Sequence, residues 1–163
     1  MSDGYYDVAQ ICTNGHVVNS SADSVPQSNQ KYCTECGAET IIACPSCEAA
    51  IRGDYYMPGI VVVGRHYCRP AYCYNCGQPY PWTTNSLDAA NDLADELESL
   101  TLEEREQLKN SFPDLLRNTP KSAVAEIRFK KIIKKVGSDA YDGLKTILVD
   151  VVSETVKKSL FGG

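Results

Sequence analysis

The stretch KYCTECGAETIIACPSC, residues 31–47, contains two Cys-x-x-Cys pairs separated by seven residues. A third pair follows in YCYNCG. The pairs are Cys33/Cys36, Cys44/Cys47 and Cys73/Cys76. Two of them are followed by Gly, as in a metal-binding knuckle, where two thiolates reach one ion from a tight turn and Gly adopts the positive φ of that turn. The pattern therefore predicts metal binding.

Zinc is the metal that this pattern favours. The first ten residues, MSDGYYDVAQ, lack the basic and apolar regions of a signal peptide, so we expect a cytoplasmic protein. A reducing cytoplasm disfavours structural disulfides. No apolar run approaches the roughly 20 residues that a membrane-spanning helix needs, and we expect no such helix. We predict two Zn²⁺ per chain rather than disulfides or an iron–sulfur cluster.

The spacing of the pairs decides which of them share an ion. Seven residues, GAETIIA, separate Cys36 from Cys44, and ETIIA is typical of a short strand. At about 3.3 Å per residue, this strand carries Cys44 roughly 15 Å from the first ion. We therefore predict two sites in series, with an upstream segment, CTNGH, completing the first. Site one is Cys12, His16, Cys33 and Cys36, and site two is Cys44, Cys47, Cys73 and Cys76.

Two other pairings remain open at this point. A cross-brace joins the CTNGH segment to the second Cys-x-x-Cys pair, and the first such pair to the third. Alternatively, residues 37–43 double back and place the first two pairs on one ion. His66 and Cys68 are needed in neither of the serial sites. We interpret them as a structural cysteine and a surface histidine on a strand, IVVVGRHYC, with a swap ligand, a redox thiol or an open catalytic site as the alternatives.

The chain changes character in its middle. All eight Cys and both His precede residue 77, and the pattern after residue 85 is helical. We predict an α+β protein with a small zinc-ribbon or treble-clef-like domain, residues 1–85, that carries two structural zinc sites. A helical C-terminal bundle, residues 86–163, follows it.

Capping residues divide this second half into helices. The predicted helices are 87–100 after Ser86, 102 to about 110 with a capping box of Thr101 and Glu104, 121–136 after Thr119 and Pro120, and one after Ser138 that ends near Leu160. Pro113 is expected to start a separate short turn, and Gly137 to end the third helix.

The motif series CxNGHVV…KYCxECGAETI…CPxC…IRGxY…YCxNCGxPYPWT, within residues 8–84, resembles uncharacterised bacterial proteins with tandem zinc-ribbon motifs and a helical tail. The resemblance implies a bacterial cytoplasmic protein with structural zinc. It implies metal-ligand roles for the cysteines and His16, and nothing catalytic.

Charge and motifs restrict the function. Residues 1–85 carry four basic and seven acidic side chains, so the zinc unit lacks the basic face typical of nucleic-acid-binding ribbons. Residues 88–106 carry a net charge of −7, and residues 121–135 one of +5. The candidate partner-binding cations are Arg128, Lys130, Lys131, Lys134 and Lys135.

Motifs for phosphate-loop, dinucleotide, serine-hydrolase or zinc-protease chemistry are missing from the sequence. We therefore expect no enzyme. The favoured hypothesis is a protein-interaction or adaptor module that contacts a protein partner, or another copy of itself, through the helical tail. The alternative is a nucleic-acid-binding protein that uses the basic helix 121–135.

Overall fold

The protein is described from a computed structural model, which covers residues 3–61, 63–64 and 66–162. These residues form small β-sheets, one short 3-10 helix at Pro26–Ser28 and five α-helices, which confirms the predicted α+β class. The chain divides into two compact units, residues 1–84 and 85–163.

Five short strands form the regular part of the first unit. They are β1 Tyr5–Val8, β2 Gln10–Cys12, β3 Val17–Asn19, β4 Thr40–Ile41 and β5 Arg52–Tyr56. β1 and β5 form an antiparallel pair, with Tyr5 opposite Tyr56 and Tyr6 opposite Tyr55. The other three strands form an antiparallel sheet in the order β3-β2-β4. β2, the central strand, ends at Cys12 and therefore delivers the first thiol from the most enclosed strand of the sheet.

Each Cys-x-x-Cys pair folds into the same short hairpin. In the first, the Cys33 N–H donates to the Ala38 carbonyl at 2.8 Å, and the Gly37 N–H donates back to the Cys33 carbonyl at 2.8 Å. The same two hydrogen bonds recur in the other two hairpins. An isolated bridge closes each hairpin, and the three bridges are Tyr32 with Glu39, Ala43 with Ala50 and Tyr72 with Pro79.

The first unit has a small apolar core, which contains a cysteine from the second hairpin and one from the third. Its buried members are Ala9, Ile11, Cys44, Ile51, Cys73, Tyr80 and Trp82. Tyr80 stacks on Trp82 with ring centroids 4.6 Å apart. Two of the seven residues are cysteines of the Cys-x-x-Cys hairpins, so the core and the candidate metal site are built from the same side chains.

Five helices follow, and their bounds are α1 Pro81–Asp95, α2 Leu102–Leu116, α3 Pro120–Ile133, α4 Ser138–Leu148 and α5 Glu154–Phe161. α3 packs against α2 and α5. Buried residues from all five helices form one core, which includes Ala94, Phe112, Phe129, Leu144 and Phe161. The helical unit is thus held by ordinary apolar packing.

α1 ends at Asp95 rather than near Leu100, and it begins at Pro81 rather than after Ser86, so the predicted helix 87–100 was wrong at both ends. Two buried residues of the first turn explain the earlier start. The Trp82 indole N–H donates to the Pro70 carbonyl at 2.8 Å, and the Thr83 hydroxyl donates to the Ala71 carbonyl at 2.8 Å. These tertiary contacts fix the first turn, and Pro at the first helical position suits it.

The capping box of Thr101 and Glu104 is present at the start of α2. The helix continues through Pro113 to Leu116, however, which corrects the expected end near Asn110. Phe112, Leu115 and Leu116 are buried, and their packing offsets the backbone hydrogen bond that Pro113 cannot donate.

The last predicted helix is two helices. α4 ends at Leu148, and the Ser153 side chain caps α5 by accepting from the Val156 N–H. Between them, Val151 and Val152 are buried, and their β-branched side chains lower helix propensity. Gly137 also differs from expectation, because it precedes α4 as its N-cap rather than ending α3.

The predicted strand IVVVGRHYC is not formed by its described residues, and Val62 and Arg65 lie outside them. The strand that precedes this segment, β5, ends at Tyr56, which pairs with Tyr5 at the start of β1. Gly59 and Gly64 adopt φ values of 79° and 78°, which interrupt an extended backbone.

Glu104 gives the helical unit a pH-dependent contribution to stability. Its pKa lies below the ordinary 4.5, first because Lys135 Nζ donates to it and then because the Thr101 N–H does. A lowered pKa stabilises the fold above the ordinary pKa, and this contribution is lost as pH falls through the folded-state value.

We therefore expect Glu104→Gln to lower the Tm of the helical signal near neutral pH, and to lower it by less near pH 3. Far-UV circular dichroism melts of both proteins at the two pH values provide the measurement. An equal difference in Tm at both pH values would contradict the assignment.

Candidate metal centres

Cys12, His16, Cys33 and Cys36 converge on one point in the first unit. Their candidate ligand atoms all lie within 4.8 Å of one another. Cys12 Sγ lies 3.8 Å from Cys36 Sγ. His16 presents Nδ1 to the sulfurs, at 3.5 Å from Cys12 Sγ and 3.6 Å from Cys33 Sγ. The four donor atoms can therefore surround a single ion.

Cys44, Cys47, Cys73 and Cys76 form a second group within the same 4.8 Å limit. Cys44 Sγ lies 3.7 Å from Cys76 Sγ, and Cys47 Sγ lies 3.7 Å from Cys73 Sγ. The structure thus brings the eight cysteine and histidine residues together in the serial arrangement. Neither the cross-brace nor a group of the first two Cys-x-x-Cys pairs occurs among the described residues.

An asparagine joins the two hairpins of each group. Asn14 Nδ2 donates to Cys36 Sγ on the opposite hairpin, and Asn75 Nδ2 donates to Cys47 Sγ, both at 3.5 Å. Each Asn stands two residues after a ligand Cys, in CTN and CYN. Sequence reasoning missed both residues, although this repeated position could have revealed them. Such hydrogen bonds orient and stabilise thiolates.

Hydrogen bonds also tune the thiols of these groups. The Ala38 backbone N–H lowers the pKa of Cys36 to about 6, and the Asn75 side chain lowers the pKa of Cys47. Although the Gln78 N–H favours the Cys76 thiolate, burial and the neighbouring sulfurs raise the Cys76 pKa to about 12. Four thiolates this close together are unfavourable without a cation between them.

Glu35 supports the imidazole of site one. Its Oε2 lies 3.7 Å from His16 Nε2, on the side of the ring away from the sulfurs. A carboxylate behind a ligand histidine favours the tautomer that leaves Nδ1 free to bind a metal.

Glu48 occupies the position that Gly takes in the other two hairpins. Its φ is 61°, against 72° for Gly37 and Gly77. The hairpin retains both backbone hydrogen bonds. The turn therefore holds Glu48 in a left-handed conformation, which is strained for a residue other than Gly.

Gly15 links the two groups within the first unit. It lies in site one at φ 92° and its carbonyl accepts from Arg69 Nη1 at 2.6 Å. A Cβ placed on Gly15 would stand 2.8 Å from Cβ of Trp82, a core residue beside site two. The close approach requires Gly at this position.

His66 and Cys68 join neither group. Both are exposed, and both line a cavity of about 340 Å³ with Arg52, Asp54 and Tyr67 among its other residues. The described residues place no third metal-binding group beside them.

The candidate cations on α3 and after it differ in their surroundings. Lys135 pairs with Glu104, and Lys130 Nζ donates to Ser159 Oγ at 2.9 Å. Arg128, Lys131 and Lys134 are exposed. The predicted basic surface is therefore smaller than the sequence indicates.

Comparison with known proteins gives a family. A family model described as an uncharacterized protein conserved in bacteria (DUF2321) matches residues 5–160, and the chain belongs to this family. This confirms the resemblance found in the sequence. No curated protein and no solved structure matches the chain significantly. Within the described residues, the helices are too short or too polar to span a bilayer.

Gly15 and Gly37 provide a matched test of the link between the two groups. Both have positive φ, but open space surrounds Gly37. We expect Gly37→Ala to lower the free energy of unfolding by about 1 kcal/mol through backbone strain alone. Gly15→Ala adds a steric clash and should cost about 3 kcal/mol.

Denaturant unfolding of both variants with saturating zinc provides the comparison. Equal losses of stability would contradict the proposed contact of Gly15 with Trp82 and Arg69.

Proposed function

We propose that this protein is a non-catalytic zinc protein in which each of the two groups holds one structural Zn²⁺. The observation that supports this proposal most directly is that the four donor atoms of each group lie within 4.8 Å of one another. A tetrahedral ion with Zn–S bonds of about 2.3 Å separates its sulfurs by about 3.8 Å, and a sulfur from a nitrogen by about 3.5 Å. The sulfur pairs at 3.7 to 3.8 Å and the His16 distances of 3.5 and 3.6 Å support this geometry.

The donor sets favour zinc over other cysteine chemistry. A disulfide joins its sulfurs at about 2.05 Å, far shorter than these separations. A four-thiolate site also suits iron. Three cysteines with one histidine are a common set for structural zinc, and site one has this composition.

Closed coordination supports a structural role. Catalytic zinc sites keep a position for water or substrate, with three protein ligands. Here each group supplies four protein ligands, so the proposed ions have no position left for a substrate. We therefore propose that the protein is not an enzyme.

The ions would complete a unit that lacks a sufficient core of its own. Seven buried residues form the core of the first unit. Small domains of this kind commonly need a metal to fold, because metal binding contributes to the free energy of folding. We propose that the zinc ions hold the hairpins, and the surfaces around them, in a fixed arrangement.

One of these surfaces suits a protein partner. Tyr5, Tyr6 and Tyr56 on the β1–β5 pair are each 51% exposed. The Arg52 guanidinium lies over the rings of Tyr6 and Tyr74, at 4.8 and 3.9 Å from their centroids. Tyr5 and Tyr56 lie opposite each other on one side of the pair, with ring centroids 5.3 Å apart, and we name these two residues the aromatic face. Tyr and Arg are enriched in the energetically important parts of protein interfaces, which supports an adaptor role.

The helical unit offers a second surface for a partner or another copy. Val124 and Ile127 are exposed on α3 beside Arg128. Nucleic-acid binding through residues 121–135 is the weaker candidate, because Lys135 is neutralised by Glu104. Location in the cytoplasm stays a prediction, which a need for reduced thiols supports.

Metal analysis tests the two sites separately. The purified chain should contain two zinc ions by mass spectrometry of metals, as eight ligands allow. Cys33→Ser and Cys73→Ser should each lower the zinc content by about one ion. Cys68→Ser is the matched control and should leave it unchanged, since Cys68 lies outside both groups.

Iron in place of zinc would contradict the identity of the metal. Loss of zinc in the Cys68 variant would contradict the ligand sets.

Photo-crosslinking distinguishes the two candidate surfaces in the bacterial host. With a benzophenone amino acid at position 56, we expect a discrete crosslinked protein. Tyr5→Ser in the same chain should weaken it at least tenfold, since truncation of a hot-spot tyrosine costs about 2 kcal/mol or more.

Tyr32→Ser is the control, because Tyr32 is equally exposed but lies outside the aromatic face. Crosslinks from position 127 and none from position 56 would assign the contact to the helical unit instead.

A further inference from the structure

We propose that a groove between α2 and α3 binds the phosphate group of a small phosphate ester. The groove is lined by Gln107, Asn110, Arg128, Lys131 and Ile132, and we name it the α2–α3 groove. This inference goes beyond the zinc-based function and does not depend on it.

The groove is a defined cavity of about 360 Å³. Gln107 and Asn110 lie one turn apart on α2, and Arg128 and Lys131 lie one turn apart on α3. Side chains three residues apart on a helix share a face. Ile132, only 4% exposed, provides an apolar wall from the bundle core. Two helices thus direct polar side chains toward one space.

The two cations in the groove, Arg128 and Lys131, differ from the paired lysines of this unit. Elsewhere in this unit, Lys135 pairs with Glu104, and Lys109 pairs with Asp95 and Glu106. Within the residues that the structure describes, Arg128 and Lys131 make no such ion pair, and no acidic residue lines the groove. The groove therefore presents uncompensated positive charge, which favours an anion.

The donor set favours phosphate over carboxylate. A guanidinium, an ammonium and two carboxamides can all donate hydrogen bonds into the groove. A phosphate group offers more acceptor oxygens than a carboxylate, and arginine binds it with two parallel hydrogen bonds. Gln107 Nε2 already donates to Glu103 Oε1 at 3.3 Å, and its second N–H leaves a donor for a ligand.

Size and charge favour a small ligand over a nucleic-acid chain. The cavity volume falls in the range of about 300 to 1,000 Å³ of small-molecule sites. The whole chain has a net charge of −5, and residues 88–106 of the same half carry −7. Long polyanions bind through many basic contacts, which this balance opposes. A short ester needs only the local charge of Arg128 and Lys131.

NMR titration of the full zinc-loaded chain tests the proposal, with glycerophosphate and a short single-stranded DNA as probes. We expect glycerophosphate to shift the side-chain amide signals of Gln107 and Asn110. Arg128→Ala with Lys131→Ala should weaken this binding at least tenfold. Lys134→Ala is the matched control, as an exposed cation outside the groove, and should change affinity less than twofold.

Glu103→Gln should strengthen binding, because it removes the negative charge of the carboxylate that contacts Gln107. An unchanged Tm of each variant shows that its fold is intact. The absence of shifts with glycerophosphate would overturn the proposal. Binding of the DNA alone, weakened equally by Lys134→Ala, would also overturn it in favour of a nucleic-acid surface.

Discussion

The first unit depends on two groups of four candidate ligand atoms, each gathered around one point. Sulfur atoms 3.7 to 3.8 Å apart are too distant for disulfides and too close for stable neighbouring thiolates without a cation. Backbone amides lower the pKa of Cys36 and Cys73, and the Asn75 side chain lowers that of Cys47. Burial raises the pKa of Cys12, and burial with the neighbouring sulfurs raises that of Cys76, so the thiols cannot all be charged easily without a cation. The surrounding apolar core is small, and it includes two of the ligands. In the proposed account, a bound metal is therefore the constraint on which the hairpins and the surfaces around them depend.

This constraint separates structure from function in the proposed account. The metal groups use all their ligand positions internally, and the link from Gly15 to Arg69 and Trp82 ties them to each other. Recognition then falls to the surfaces: the aromatic face on the first unit and the α2–α3 groove on the second. The two surfaces differ in chemistry, since one is rich in tyrosine and the other in cationic and amide donors. They suit a protein partner and a small anion respectively.

The two candidate metal groups could be predicted from sequence because the spacing of their cysteines is a local feature of the chain. Spacing within each hairpin and the short segment between Cys36 and Cys44 were enough to favour the serial arrangement. Asn14 and Asn75 were missed because their role depends on the opposite hairpin. The start of α1 was missed because contacts of Trp82 and Thr83 with Pro70 and Ala71 set it, and such tertiary contacts leave no periodic signal. In the same way, buried Val151 and Val152 decided the break between α4 and α5.

X-ray absorption spectroscopy at the zinc edge of the purified full chain tests the central claim most directly, because it reports the atoms bound to the metal. Seven cysteines and one histidine shared by two ions predict an average of about 3.5 sulfurs near 2.3 Å and 0.5 nitrogens near 2.0 Å for each zinc. A first shell dominated by oxygen or nitrogen, or fewer than about three sulfurs per zinc, would contradict the account.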